Sequence, residues 1–191
     1  MKKILIISII FFLFIQSIHA QGYRKSNIGF AGVAPAFAGI EGGEALGVKA
    51  DLGFRKKEIW NRRLDWTVSL TYGHYGYVID NNADAFTMQA MGIKNDLTYS
   101  FIKNRSFEFF AGGGILFNYT TADIVIRPNF GPPSTEEVEK FNLAGGLLVG
   151  IRFKPRRQKI KYEVNFVNAI LPNSNDFYEL AFLQVRALWK M

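Results

Sequence analysis

The sequence predicts an all-β fold in which eight antiparallel strands close into an up-and-down transmembrane β-barrel, preceded by a cleaved signal peptide. Apolar and polar residues alternate with a period of two in eight separate segments, which is the pattern of strands with one apolar face. No stretch after residue 20 is long and apolar enough for a transmembrane helix. Compact and longer connections alternate along the chain, as they do in bacterial outer-membrane barrels.

The N-terminal segment has the layout of a secretory signal peptide. Lys2 and Lys3 precede an apolar run over residues 4–15, and the small residue Ala20 stands at the expected cleavage site. A membrane anchor is the alternative, but a spanning helix needs about 20 apolar residues and this run is shorter. We therefore expect a signal peptide over residues 1–20 and an outer-membrane β-barrel domain over residues 21–191.

The eight alternating segments give the predicted strands, most of them long enough to cross a bilayer when tilted. They are Ile28–Ala36, Leu46–Arg55, Leu64–Gly73, Ile93–Phe101, Phe107–Tyr119, Phe141–Phe153, Ile160–Phe166 and Ala181–Trp189. The compact connections cover residues 56–63, 103–105 and 154–158, and the longer ones cover 37–45, 79–85, 121–140 and 169–176. With both termini in the periplasm, the short turns lie on the periplasmic side and the long loops lie outside.

Three features indicate that the apolar face points outward, towards lipid. The polar face is rich in Gly and Ser, which suits the narrow interior of an eight-stranded barrel. Aromatic residues are frequent near both ends of the strands, as in the two girdles of membrane barrels. The charges of the polar face nearly balance, which predicts a structural interior charge network. Its members are Lys49, Asp51, Arg55, Asp65, Lys94, Asp96, Glu108, Arg152, Lys161, Glu163 and Arg186.

The girdle prediction names residues at both ends of the barrel. Towards the turns these are Phe54, Trp60, Trp66, Phe101, Phe107, Phe153, Tyr162 and Trp189. Towards the loops they are Tyr72, Tyr75, Tyr77, Phe86, Tyr119, Phe141 and Phe177. General enrichment of aromatic residues in strands is the alternative explanation for this distribution.

Charge also separates between turns and loops. Bases cluster in the turns, where they either attract anionic headgroups or a periplasmic partner, or simply keep the turns solvated. Acids lie in the long loops, above all Glu136, Glu137 and Glu139. Pro128, Pro132 and Pro133 stiffen the 121–140 loop, and its acidic stretch is compatible with a short helix.

The residues offer little for catalysis, cofactors or metals. The chain has no cysteine, and His74 is the histidine that remains after residue 20. Alternation directs His74 outward, whereas the nearby Ser69 and Thr71 point inward, out of hydrogen-bond reach. The glycines at 112–114 lie within a strand and lack the features of a phosphate loop. We expect no catalytic residue, no metal site and no cofactor, and export argues against a nucleic-acid partner.

The chain resembles the small outer-membrane β-barrel family that includes the OmpA transmembrane domain, especially its Bacteroidetes-type members. The resemblance covers Gln21 to Met191 and rests on the eight segments, the Gly-rich strands at 111–115 and 143–147, and the last strand ending at Trp189. It implies outer-membrane lipid, lipopolysaccharide and the barrel-insertion machinery as partners. One departure is that Lys190 and Met191 follow Trp189, where such barrels often end on an aromatic residue that the machinery reads.

These observations favour a non-enzymatic outer-membrane barrel that contributes to envelope structure or presents extracellular loops for binding. The loop over residues 121–140 is the expected contact surface for an extracellular ligand, because function concentrates in loops on rigid scaffolds. Three alternatives stay open: a narrow pore for small solutes, a lipid-A-modifying enzyme centred on His74, and a soluble secreted binder of the lipocalin type.

Overall fold

The computed structural model describes residues 27–40, 43–59, 62–78, 86–126, 132, 134–155, 160–171 and 177–191. The expected signal peptide over residues 1–20 lies outside the described residues. No helix in the described part of the chain is long and apolar enough to cross a membrane.

Eight antiparallel strands form one closed barrel, in which each strand pairs with its neighbours in sequence and β1 pairs with β8. The strands are β1 (Asn27–Ile40), β2 (Gly43–Lys56), β3 (Leu64–Val78), β4 (Phe86–Lys103), β5 (Phe107–Ile126), β6 (Ser134–Phe153), β7 (Lys161–Ile170) and β8 (Tyr178–Lys190). Closure leaves no free sheet edge along the paired segments, which is the condition for crossing a bilayer with strands. The predicted fold class is confirmed.

The two ends of the barrel differ. The end that carries Asn27, Lys190 and the connections β2–β3, β4–β5 and β6–β7 is called the turn end. The end that carries the other four connections is called the loop end. The ladder between β5 and β6 is the longest, since it runs from Phe107↔Phe153 at the turn end to Ile126↔Ser134 at the loop end.

Two predicted loops are largely strand. Residues 37–45 belong to β1 and β2 except for residues 41–42. Likewise, β5 continues to Ile126 and β6 begins at Ser134, so the acidic stretch that was compatible with a short helix forms a β-ladder instead. The prediction failed because both faces of this extension are exposed over much of its length, which removes the apolar–polar alternation that marks a strand. Pairing between β5 and β6 holds these residues in strand conformation.

β8 contains an irregularity that changes which side chains face the interior. Leu183 has a positive φ of 50°, and the β1–β8 register shifts between Val33 and Ala36. Pro35 lies in this interval, where the missing N–H of a proline costs no ladder hydrogen bond. The sequence predicted Ala181 outside and Phe182 inside, but Ala181 is fully buried and Phe182 lies outside with its ring edge against Phe37. The extra residue reverses the alternation on the loop side of the bulge.

The outer wall of the barrel is apolar, and large apolar side chains are exposed on every strand. They include Val33, Val48, Leu52, Tyr72, Met91, Ile115, Phe117, Leu143, Leu147, Tyr162 and Val185. On β6, outward Leu147 is 49% exposed whereas its inward neighbour Leu148 is 0% exposed. A soluble lipocalin-type barrel would have the opposite polarity, so the wall is that of a transmembrane barrel.

We predict that Leu147→Arg destabilises the barrel in lipid by about 2–4 kcal/mol, because Leu147 is the midpoint of the outward apolar run of β6. Urea unfolding in phospholipid vesicles measures the effect. The matched control is Thr135→Arg, an exposed position on the same strand beyond the apolar run, which should change stability by less than about 0.5 kcal/mol. Equal stability of the two variants would contradict an outward lipid-facing wall.

Candidate functional site

The interior of the turn half is organised around Glu163. Three arginines contact its carboxylate: Arg55 Nη2 lies 2.7 Å from Oε2, Arg152 Nε lies 3.0 Å from Oε2, and Arg186 Nη1 lies 3.0 Å from Oε1. All four side chains are buried and come from β2, β6, β7 and β8. Arg152 and Arg186 are the register partners of Glu163 on the adjacent strands β6 and β8, whereas Arg55 reaches it from β2 across the lumen.

Further carboxylates compensate the charge of the three arginines. Arg152 Nη1 lies 2.9 Å from Glu108 Oε1 and 3.2 Å from Asp65 Oδ2, and Arg186 pairs with Asp51. Lys154 reaches Glu108 Oε2 from the turn end, at 2.6 Å. Buried charges are tolerated only when they are paired, and this set is paired by sharing partners, although Asp51 Oδ1, Arg152 Nη2 and Arg186 Nε have no hydrogen-bond partner among the described residues.

Two inward phenylalanines separate and cover the guanidinium groups. Arg186 lies over the ring of Phe30 and Arg152 over the ring of Phe110, each with 4.6 Å from Cζ to the ring centroid. Arg55 lies between the two rings, at 5.9 Å from Phe30 and 6.0 Å from Phe110. Both rings are fully buried, so they fill the lumen while making cation–π contacts that favour desolvated arginines.

A second group of buried polar side chains lies on the loop side of the arginines. Lys49 pairs with Glu179, which also accepts a hydrogen bond of 2.7 Å from the Tyr75 hydroxyl. Lys94 Nζ lies 3.3 Å from Asp96 Oδ1 and donates to Asn168 Oδ1 at 2.7 Å.

The amides of this second group continue the network. The Gln184 side-chain carbonyl accepts hydrogen bonds of 2.9 Å from the side-chain amides of Asn165 and Asn168. These three residues are fully buried and lie on β7 and β8. Because β7 and β8 are adjacent, these amide contacts stay on one side of the lumen, and the Lys94–Asn168 hydrogen bond connects them to β4 across it.

The interior of the loop half contains an apolar cluster that the sequence did not predict, beside the buried polar residues Asn118, Thr120 and Asn142. Tyr75, Met88, Leu116, Ile170 and Phe177 are the large side chains of this cluster, and small residues belong to it as well. The small residues are Ala34, Ala36, Ala38, Ala45, Ala90, Ala122, Ala144 and Ala181. Tyr75 and Phe177 were predicted in the outer aromatic girdle but point into the lumen. The charged network thus dominates the turn half of the lumen, and the loop half combines this apolar cluster with buried polar residues that include Glu179.

Glycines on the inner face make room for the network. A Cβ at Gly32 would lie 2.5 Å from both Arg186 Cγ and Asp51 Oδ1, which form one of the ion pairs. A Cβ at Gly146 would lie 3.0 Å from Lys94 Cε. The small residues that indicated a narrow interior are therefore located where long charged side chains cross it.

The structure places ten of the predicted network residues in the buried interior. They are Lys49, Asp51, Arg55, Asp65, Lys94, Asp96, Glu108, Arg152, Glu163 and Arg186. Lys161 departs from the prediction: it is half-buried at the first position of β7 and has no ion pair with the described residues. At the end of a strand, its long side chain reaches solvent, so alternation alone does not bury it.

Sequence reasoning missed two charged members of the network, Glu179 and Lys154. Glu179 precedes the predicted start of β8 at Ala181, and only the bulge at Leu183 turns it inward. Lys154 was assigned to the turn solvent, although its Nζ pairs with buried Glu108. The sequence offered one indication of this role, namely that Glu179 is an acidic residue just before the predicted start of β8.

The catalytic alternative is not assembled among the described residues. His74 is exposed on the outer face of β3 and is the register partner of Gln89, whereas Ser69 and Thr71 of the same strand are buried in the lumen. The described residues also contain no group of His, Cys, Asp and Glu that could hold a metal ion.

No family model and no curated protein sequence matches this chain. Its structure is similar to the crystal structure of Neisserial surface protein A (NspA), with a TM-score of 0.58, 16% identity, and coverage of 86% of this chain and 97% of that chain. It is also similar to Ail, the attachment invasion locus protein of Yersinia pestis, with a TM-score of 0.50, 9% identity, and coverage of 86% and 98%.

A crystal structure of the same Yersinia pestis protein in complex with the heparin analogue sucrose octasulfate is similar as well, with a TM-score of 0.51 and 12% identity over 86% of this chain and 98% of that chain. At these identities the similarity shows the fold. The chain has the fold of the small eight-stranded outer-membrane β-barrels, with the OmpA-like architecture that the sequence predicted.

We predict that Glu163→Gln destabilises the barrel by about 3–5 kcal/mol, since it removes the negative charge that three buried arginines share. Urea unfolding in detergent micelles, followed by gel mobility without boiling, measures the effect. Glu136→Gln is the control at an exposed position of β6, and it should stay within about 0.5 kcal/mol of the unmodified protein. A loss below about 1 kcal/mol for Glu163→Gln would mean that the arginines are compensated without it.

Proposed function

We propose that this chain is a non-enzymatic integral barrel of the outer membrane that contributes to envelope structure and presents its loop end outside the cell. The packed lumen is the observation that carries this proposal. The three arginines, Phe30 and Phe110 are buried in the turn half, and Tyr75, Met88 and Phe177 are buried in the loop half. A barrel filled in this way is suited to rigidity and surface display, and the outward apolar wall supports its location in a membrane.

The same packing argues against the pore alternative. An aqueous channel needs side chains that line a lumen and stay in contact with water, but the inward side chains at both levels are buried and paired across it. The enzyme alternative lacks support because His74 lies outside and the inward hydroxyls lie on the opposite face. The soluble binder would require an apolar cavity and a polar wall.

The extension of the β5–β6 hairpin beyond the Tyr119↔Phe141 pair is the proposed contact surface. On its outer face, Asp123 stands opposite Glu137 and both are exposed; Glu139 follows on the same face. Like charges at opposed positions are unfavourable in isolation, so this surface favours a cationic partner. It disfavours a polyanion of the kind found with Ail, which was crystallised with the heparin analogue sucrose octasulfate.

Export and assembly follow from the same proposal. Residues 1–20 are proposed to direct export, and residues 21–191 to insert as the barrel through the insertion machinery. Trp189 lies outward at the turn end of β8, where that machinery would read the last strand. Lipopolysaccharide and outer-membrane lipid would surround the apolar wall. The Gly-rich strands support the proposal that the chain is a Bacteroidetes-type member of the OmpA-like barrels.

The proposal is tested by replacing residues 124–136 with Asn-Gly, a sequence that suits a two-residue hairpin turn. This change keeps Ala122, Val138 and all pairs on the turn side of them. We expect the variant to stay in the outer membrane and to retain a different gel mobility before and after boiling, with stability within about 1 kcal/mol. Recovery of the unmodified protein or of the variant in the soluble periplasmic fraction would contradict the proposal. So would a variant whose gel mobility is the same before and after boiling.

A further inference from the structure

A ring of bases surrounds the turn end of the barrel. Among the residues that the structure describes, every strand except β1 has a base at its turn-end terminus or within two residues of that terminus. The ring consists of Lys56, Lys57, Arg62, Arg63, Lys103, Arg105, Lys154, Lys161 and Lys190. Acids offset two of these bases: Glu58 lies 3.0 Å from Lys103 Nζ, and Glu108 lies 2.6 Å from Lys154 Nζ.

The opposite end has the opposite charge. The exposed charged residues described there are Glu44, Asp123, Glu136, Glu137 and Glu139, and Lys140 is half-buried. The mature barrel is therefore electrically polar along its axis, with a positive turn end and a negative loop end. A uniform need for solubility would not separate the two signs between the ends.

The bases stand next to exposed apolar side chains, which fixes their depth in a membrane. Phe101 and Ile102 precede Lys103, Phe153 precedes Lys154, and Trp189 precedes Lys190. These exposed apolar residues mark where the lipid-facing wall ends, so the bases that follow them lie at the depth of the headgroups, and at a strand end a long basic side chain can reach solvent. The chain thus places cations at the phosphate level around its circumference.

We propose that the basic ring at the turn end binds anionic phospholipid headgroups in the leaflet on that side, selecting phosphatidylglycerol-type lipids over zwitterionic ones. The distribution of the bases favours lipid over an acidic protein, because a protein partner would contact one side of the rim, whereas lipid surrounds all of it. Each base close to an anionic bilayer adds a favourable electrostatic interaction. This inference rests on the proposed membrane location but not on any role of the loops.

The tryptophans report on this ring directly. Trp66 and Trp189 lie at the turn end of β3 and β8, and Trp60, the third tryptophan of the chain, belongs to the β2–β3 connection in sequence. The full-length mature chain is refolded into phosphatidylcholine vesicles that contain either brominated phosphatidylglycerol or brominated phosphatidylcholine. The ratio of quenching by the two lipids gives the selectivity of the lipid positions around the turn end.

The test variant combines Lys56→Gln, Arg62→Gln, Arg105→Gln, Lys161→Gln and Lys190→Gln. None of these five side chains has an ion pair with the described residues, so their loss should leave the barrel folded. Lys103 and Lys154 are left unchanged because acids already offset them, Arg63 because it donates to the Phe101 carbonyl, and Lys57 because it is half-buried and burial lowers its pKa to about 8. The matched control neutralises five charges at the loop end: Glu44→Gln, Asp123→Asn, Glu136→Gln, Glu137→Gln and Glu139→Gln.

We expect brominated phosphatidylglycerol to quench the tryptophans of the unmodified protein roughly fivefold more strongly than brominated phosphatidylcholine. This is about the factor that one favourable contact between a base and an anionic surface contributes. The preference should approach one in the test variant and in about 1 M salt, which screens such contacts, and should persist in the control. A ratio near one for the unmodified protein overturns the inference, as does a preference that survives neutralisation. Binding of polyglutamate to the protein in pure phosphatidylcholine, without lipid selectivity, would also overturn it in favour of an acidic protein partner.

The unboiled gel mobility separates failure of this inference from failure of the proposed function. A test variant that shows the barrel mobility but no change in lipid preference contradicts the lipid ring alone. Failure of the unmodified chain to associate with vesicles contradicts the membrane location on which both depend.

Discussion

The shared carboxylate of Glu163 is the interaction on which the interior depends. Three guanidinium groups from three other strands converge on it in the buried interior of the barrel. Paired with a single acid, each arginine would bear a large desolvation cost, but sharing Glu163, Asp51, Asp65 and Glu108 keeps the charges compensated. The backbone of a closed barrel is satisfied by its own ladders, so these side-chain contacts determine how the centre is filled.

Other features of the barrel follow from this constraint. Inner-face glycines such as Gly32 and Gly146 occupy positions where a side chain would collide with the network. Phe30 and Phe110 fill the space around the planar guanidinium groups, which leaves the loop half to a cluster of alanines and a few large apolar residues. With most polar groups enclosed, the outer wall is largely apolar, although His74 and Gln89 are exposed on it, and the remaining charges collect at the two ends.

Most of this arrangement was predictable from alternation, and the departures have local causes. A period of two assigned Glu163 and Arg186 to one face, and the glycines on that face indicated that it was the inner one. Alternation failed on the loop side of Leu183, where one extra residue turned Glu179 and Ala181 inward. It also failed in the β5–β6 extension, whose exposed faces left no periodic signal. The pairing of specific side chains across the lumen depends on register and barrel geometry, which the sequence pattern does not encode.

Electrical conductance across a planar bilayer tests the central claim, that the interior contacts close the lumen, most directly. The refolded mature chain is inserted into one bilayer. A general porin in a separate bilayer is the positive control for the sensitivity of the measurement. The account predicts no steady current at either polarity, because buried ion pairs and apolar side chains occupy both halves of the barrel. A steady, concentration-dependent ion current through the unmodified barrel would contradict it and would make the lumen a pathway for small solutes.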